Sequence, residues 1–283
     1  MILRKRPSML GLFFVLKGSV IQRIWMQVTA IFLIGIAVVW AHRNLDGVVP
    51  GLDPTPFSLI GVALSIFLSF RNGACYDRWW EARKLWGLMI QTARDIQRQS
   101  VVLEGTPERR QLLLSLVDFA RRSGSQLRGK PEAKSADDAL AEATRVLSKL
   151  ETQGRLSHVQ ALVLHESLNR MNAALLGCER LANTPVPFAY TLLLHRTAYI
   201  YCTILPVGFV DTLGWVAPFV SALVAYAFFG LDALAEELEE PFSGQLNALP
   251  LSAYATTVEI SMRRALGDTE LPEPPKAVNF VLS

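Results

Sequence analysis

The strongest constraint on how this chain folds is the grouping of its apolar residues into stretches long enough to cross a bilayer. Ile24 to His42 is almost continuously apolar. At about 1.5 Å per residue, a helix of that length covers nearly the whole hydrocarbon core. Trp25 and Trp40 lie near its ends, where aromatic rings anchor spans at the interface. A second, shorter run opens at Pro56 and is closed by Arg71-Asn72. No proline follows, so the sequence predicts one long helix that leaves the bilayer near Arg71 and continues to about Leu103. A third stretch begins at Phe188 and a fourth at Leu213, with the short link Asp211-Thr212 making them a hairpin. Backbone polar groups in lipid must be satisfied within their own segment, and no strand-like alternation appears, so the spans are expected to be helices.

Between the second and third stretches the chain turns polar and amphipathic. A helix is expected to open at Thr106-Pro107-Glu108, with Thr as cap and Pro in the first turn. Others are expected from about Ser135 and from about Ser157 to Leu181. The final stretch from Leu271 is Pro-rich and is expected to be extended. The fold class is therefore all-α: a four-span helical membrane protein with a helical domain in water. The expected segments are an interfacial lead-in (1–23), two spans (24–80), the helical domain (81–185), two more spans (186–231), and an acidic helix end with an extended tail (232–283). The composition agrees, with 51% hydrophobic yet 19% charged residues.

Several function classes lack support. A net charge of +3, without basic residues interleaved with aromatics, gives no nucleic-acid surface. Cys75, Cys178 and Cys202 form neither a disulfide framework nor a metal motif. The apolar run before Lys17 is too short for a signal peptide and no cleavage site follows. His165-Glu166 lacks the second histidine of a metalloprotease helix, because Asn169 stands there. No catalytic, metal or cofactor motif emerges, so an enzyme is not expected. Basic residues precede the first stretch (Arg4, Lys5, Arg6, Lys17, Arg23) and follow the second (Arg71, Arg78, Arg83, Lys84). The positive-inside rule then puts both termini and the central helices in the cytoplasm.

Within the second stretch, Val62, Ile66 and Phe70 are four residues apart, so they form one stripe drifting about 40° per step. Gly61, Ser65, Ser69 and Gly73 form a stripe of small residues beside it, a pattern that lets membrane helices approach closely. One reading turns the bulky stripe to lipid or core. The other makes it a hydrophobic constriction that gates by dewetting, which requires several copies around an axis. His195-Arg196, inside the third stretch, either pairs with an acidic partner or lines a water-filled vestibule.

The run Ser69-Phe70-Arg71-Asn72, then Tyr76, Arg78-Trp79-Trp80-Glu81 and Trp86-Gly87, resembles the bestrophin family, its bacterial branch in particular. So do Asn183 to Thr191 and Glu236 to Phe242. The resemblance implies a homopentameric ion channel with one axial pore. It implies that Val62, Ile66 and Phe70 line the pore neck and that Val186 sets a cytoplasmic aperture. The implied partners are other copies of the chain, membrane lipid and monovalent ions. The implied location is the bacterial inner membrane. Eukaryotic members conduct chloride, whereas bacterial relatives look more cation-selective. Asp77 continues the apolar stripe, where five copies would make an acidic ring favouring cations; alternatively it pairs with a nearby Arg. Animal members are calcium-activated through an acidic run after the Pro-Phe motif. Here Pro241-Phe242 leads into Ser-Gly-Gln-Leu-Asn, so calcium activation is not expected. The alternative function is a membrane receptor or scaffold without ion flux. A secondary transporter is disfavoured, since no repeated pair of broken helices appears.

Overall fold

A computed structural model describes residues 1–4, 8, 11, 15, 17–45, 47–130 and 132–282. Much of the expected lead-in, including Lys5, Arg6 and most of the apolar run before Lys17, lies outside the described residues. Among the described residues the chain is helical, with only isolated β-bridges between Ile2, Val278 and Val281. The named α-helices among the described residues are α1 (Ile21–Asn44), α2 (Thr55–Gln99), α3 (Pro107–Leu127), α4 (Ala136–Thr152), α5 (His158–Asn183), α6 (Phe188–Leu213), α7 (Ala217–Glu239) and α8 (Leu251–Ala265). Among the described residues three helical stretches are long and apolar enough to cross a membrane: Ile21–Asn44, Thr55–Leu103 and Phe188–Glu239. The third is interrupted by the 3-10 turn Gly214–Val216. That turn falls later than Asp211-Thr212, which stay in the last turn of α6. The reason is local: Gly214 adopts φ 51°, a left-handed conformation costly for any residue with a Cβ.

The chain divides into two compact units. One comprises Arg6–Arg78 and Pro185–Glu239; the other comprises Met1–Lys5, Trp79–Thr184 and Glu240–Ser283. In the first, α1, the N-terminal half of α2, α6 and α7 bury Ile24, Ile31, Leu64, Leu68, Leu205 and Phe229 against one another. Small residues set the spacing. A methyl group at Gly35 would meet the Pro218 backbone Cα at 2.8 Å, and one at Gly61 would meet the Tyr201 hydroxyl at 2.5 Å. Close approach of this kind replaces the hydrophobic drive that lipid removes.

The second unit closes around one large apolar core. Trp86, Met89, Leu112, Phe119, Leu147, Met171 and Met262 belong to one buried core. The helix starts follow their caps. Thr106 accepts from the Arg109 N–H, and Ser135 and Ser157 form capping boxes with Asp138 and Gln160. Each such cap contributes about 1 kcal/mol. Helix α8 falls within the stretch expected to be an acidic helix end and an extended tail. It buries Leu251, Tyr254, Val258 and Met262 in this core. Beyond it the tail is non-helical, and the Leu3 N–H donates to the Phe280 carbonyl.

Candidate pore-lining helix

The first half of α2 is sorted into two faces. Leu64, Leu68, Arg71 and Cys75 are buried and Phe57 and Gly61 half-buried, a seam with alternating steps of three and four residues. The opposite face stays outside the chain's own core: Val62, Ile66 and Phe70 are 61%, 50% and 65% exposed. With about 100° per residue, the mean directions of seam and stripe lie roughly 180° apart around the helix. The chain therefore packs α2 by its back and leaves the stripe uncovered. Asp77 is also exposed, at an angle between those of Ile66 and Phe70, and has no ion pair or hydrogen bond among the described residues. Next to it in sequence, the Arg78 Nε donates to the Glu239 carbonyl at 3.3 Å.

The small stripe divides. Gly61 packs against Tyr201, whereas Ser65, Ser69 and Gly73 are exposed, and a methyl group at Gly73 would meet nothing. The Ser65 hydroxyl folds back onto the Gly61 carbonyl at 2.7 Å. Val186 lies half-buried in the bend between α5 and α6. Shortly after it, the Tyr190 hydroxyl donates to the Phe67 carbonyl at 3.3 Å, tying the start of α6 to the stripe helix.

What holds the seam in place is a buried ion network. Arg71 follows Phe70 directly and is fully buried. One Nη of its guanidinium bonds the carboxylate of Asp232 on α7, and the other lies 3.8 Å from Glu239. The second Asp232 oxygen takes the His195 Nδ1 at 2.7 Å. Of the two readings of His195, the structure therefore gives the acidic partner, while Arg196 is exposed. Arg23 meets Glu236 at 2.6 Å and Glu237 at 3.5 Å. His195, Asp232 and Glu236 bring ligand-type atoms within 4.8 Å of one another. Guanidinium groups already face both carboxylates, which opposes a second cation there. Sequence reasoning gave His195 an acidic partner but missed Arg71's place in the network, because it treated Arg71 only as the point of exit from the bilayer. The available signal was a lone arginine ending an apolar run, with an aspartate inside another.

Comparison with known proteins agrees with this architecture. A family model described as Bacterial/Fungal Bestrophin protein matches residues 1–264. The chain belongs to the bestrophin family. It is 43% identical over 295 residues to a voltage-dependent anion channel-forming protein of Mesorhizobium japonicum, covering 98% of this chain and 94% of that one. A protein of the same description from Escherichia coli K12 is 37% identical, with 96% of each chain covered. The crystal structure of a bacterial bestrophin homolog from Klebsiella pneumoniae superposes with a TM-score of 0.83 at 34% identity. That match spans 87% of this chain and 100% of the other. With its bilayer-length helices, this bestrophin is a membrane protein.

Proposed function

We propose that the chain forms a homopentameric ion channel in which Val62, Ile66 and Phe70 line a hydrophobic neck. The observation that carries this reading is the apolar stripe left uncovered directly opposite the packed seam of α2. In a bestrophin, whose similar relatives are named channel-forming proteins, a shared axis is the natural occupant of that face. Rings of Val, Ile and Phe would hold a barrier by excluding water when narrow. Val186 would form a second, cytoplasmic aperture. Ser65, Ser69 and Gly73 would let neighbouring copies of α2 approach. Residues 24–80 and 186–231 would supply four spans across the bacterial inner membrane and 81–185 the cytoplasmic domain, with both termini in the cytoplasm. Monovalent ions would pass without calcium activation, and no chemical reaction would be catalysed.

The ion sign has two readings. Five exposed, unpaired Asp77 side chains would make an acidic ring that favours cations. The relatives' name, voltage-dependent anion channel-forming protein, favours anions. Purified protein in vesicles should carry monovalent ions without ATP; flux no greater than in protein-free vesicles, with an assembled pentamer, would refute the channel. Reversal potential in asymmetric salt then decides the sign. Asp77→Asn should reduce cation preference if the acidic ring sets it, and leave it unchanged otherwise.

A further inference from the structure

The unit built from α3, α4, α5 and α8 contains a cavity of about 340 Å3 between the end of α3 and the start of α8. This is within the range of small-molecule sites, about 300–1,000 Å3, and too large for a bare oxyanion alone. Its wall is strongly basic, carrying Arg121, Arg128 and Lys130 against the single carboxylate of Glu259. That carboxylate is occupied, because the Arg263 Nε donates to it at 2.7 Å. Arg121 has only loose counter-charges, Asp118 at 3.5 Å and Glu132 at 3.7 Å. Arg128 and Lys130 have no carboxylate partner among the described residues.

Two of the polar groups meet directly. One Nη of Arg128 donates to the Ser252 hydroxyl at 3.2 Å, while its Nε is buried without a partner. Ser252 stands in the first turn of α8, whose preceding residue Pro250 provides no side-chain cap. The Leu251 N–H bonds the Leu249 carbonyl and the Tyr254 N–H the Pro250 carbonyl. The Ser252 and Ala253 amides between them have no acceptor among the described residues. Uncapped first-turn amides, a guanidinium with a spare Nε and an ammonium together favour a doubly charged oxyanion. Val117, Leu251 and Ala255 also line the cavity and give it an aliphatic part.

We propose that this cavity binds a small phosphomonoester. Arg128, Lys130 and the start of α8 would hold the phosphate, and the aliphatic part would hold the carbon body. The excess of cations matches a dianion better than a monocarboxylate, and the volume leaves room for a few carbons beside the phosphate. The site is separate from the stripe of α2, and its occupancy is read by binding alone, so failure of the channel reading leaves it untouched.

The test is isothermal titration of the full-length, detergent-purified assembly with glycerol 3-phosphate, inorganic phosphate, succinate and glycerol. Glycerol 3-phosphate should bind saturably and more tightly than inorganic phosphate or succinate, and glycerol should not bind. Lys130→Gln, at an exposed position that leaves the fold intact, and Arg128→Gln should each weaken glycerol 3-phosphate by about tenfold or more. Lys149→Gln, on the exposed face of α4, should leave it unchanged. Three outcomes would overturn the proposal: no saturable binding up to about 10 mM, equal binding by wild type and Lys130→Gln, or glycerol binding as well as its phosphate.

Discussion

Removing the Asp232 carboxylate should strand a charge in the interior. Arg71 is fully buried, and Asp232 is the carboxylate its guanidinium bonds. Deleting one partner of a buried ion pair costs about 3–5 kcal/mol, because the other is left uncompensated. Glu239, 3.8 Å from the second Nη, recovers part of that. His195 loses its acceptor too, but its side chain is 44% exposed and turns to water at little cost. Asp232→Ala should therefore fall near the lower end, about 3 kcal/mol. At about 2–4 °C per kcal/mol, that lowers the melting temperature by roughly 6–12 °C. Asp232→Asn, which keeps an acceptor and loses the charge, should lie between. The double change Arg71→Met with Asp232→Leu removes both charges and should melt above Asp232→Ala, since apolar replacement of a buried pair is often neutral. The assay is thermal unfolding of the detergent-purified assembly, followed by tryptophan fluorescence. The reasoning fails if Asp232→Ala melts with wild type, or if the double variant melts below it.

Ile66→Ala and Phe70→Ala would widen the proposed neck, so each should raise single-channel conductance or open probability; unchanged currents in both would remove them from the barrier. Gly35→Ala drives a methyl group to 2.8 Å from the Pro218 backbone, where no side chain can yield; it should cost about 1–3 kcal/mol, read as a lower melting temperature. Burial, reinforced by Glu179 and Glu81, pushes the Cys178 thiol up to about 12. Folded protein should thus leave Cys178 unmodified by maleimide at pH 8, with mass spectrometry detecting the adduct only after denaturation. Because the folded pKa is raised, the neutral thiol's contribution is intact below the ordinary thiol range, about 8.5, and is lost as pH rises toward 12. The Arg110 guanidinium holds the Asp268 carboxyl below its usual range. Its contribution is present above about pH 4 and is lost as pH falls through the lowered pKa, so Asp268→Asn should flatten the acid limb of a stability–pH curve.

Much of this was legible because it rests on local rules. Apolar length gave the bilayer helices, and the caps at Thr106, Ser135 and Ser157 gave three helix starts. The helical repeat put Val62, Ile66 and Phe70 on one face. Helix α8 escaped because Pro250 gives no capping side chain and its buried residues stand among Ser, Thr and Glu. The turn at Gly214 escaped because a glycine near a hairpin does not announce which residue will take the positive φ. Arg71 is a different kind of miss. An arginine that snorkels out of lipid and one locked in a core look alike in sequence. The deciding partner, Asp232, is 161 positions away.

That distant pair also fixes which way the stripe points. Phe70 and Arg71 are neighbours, so they lie about 100° apart around α2. Turning the helix by one residue would swing the guanidinium off Asp232 and draw Phe70 toward the seam. Such a turn would break the buried pair, at the cost of several kcal/mol that a lost partner carries. Methyl-sized slots would not receive Phe70 either, since the seam around Gly61 is already filled by Tyr201. The apolar stripe alone could face any direction without a sequence-level penalty. The charged residue beside it removes that freedom, so the orientation of the proposed barrier is set by the least apolar contact in its own unit.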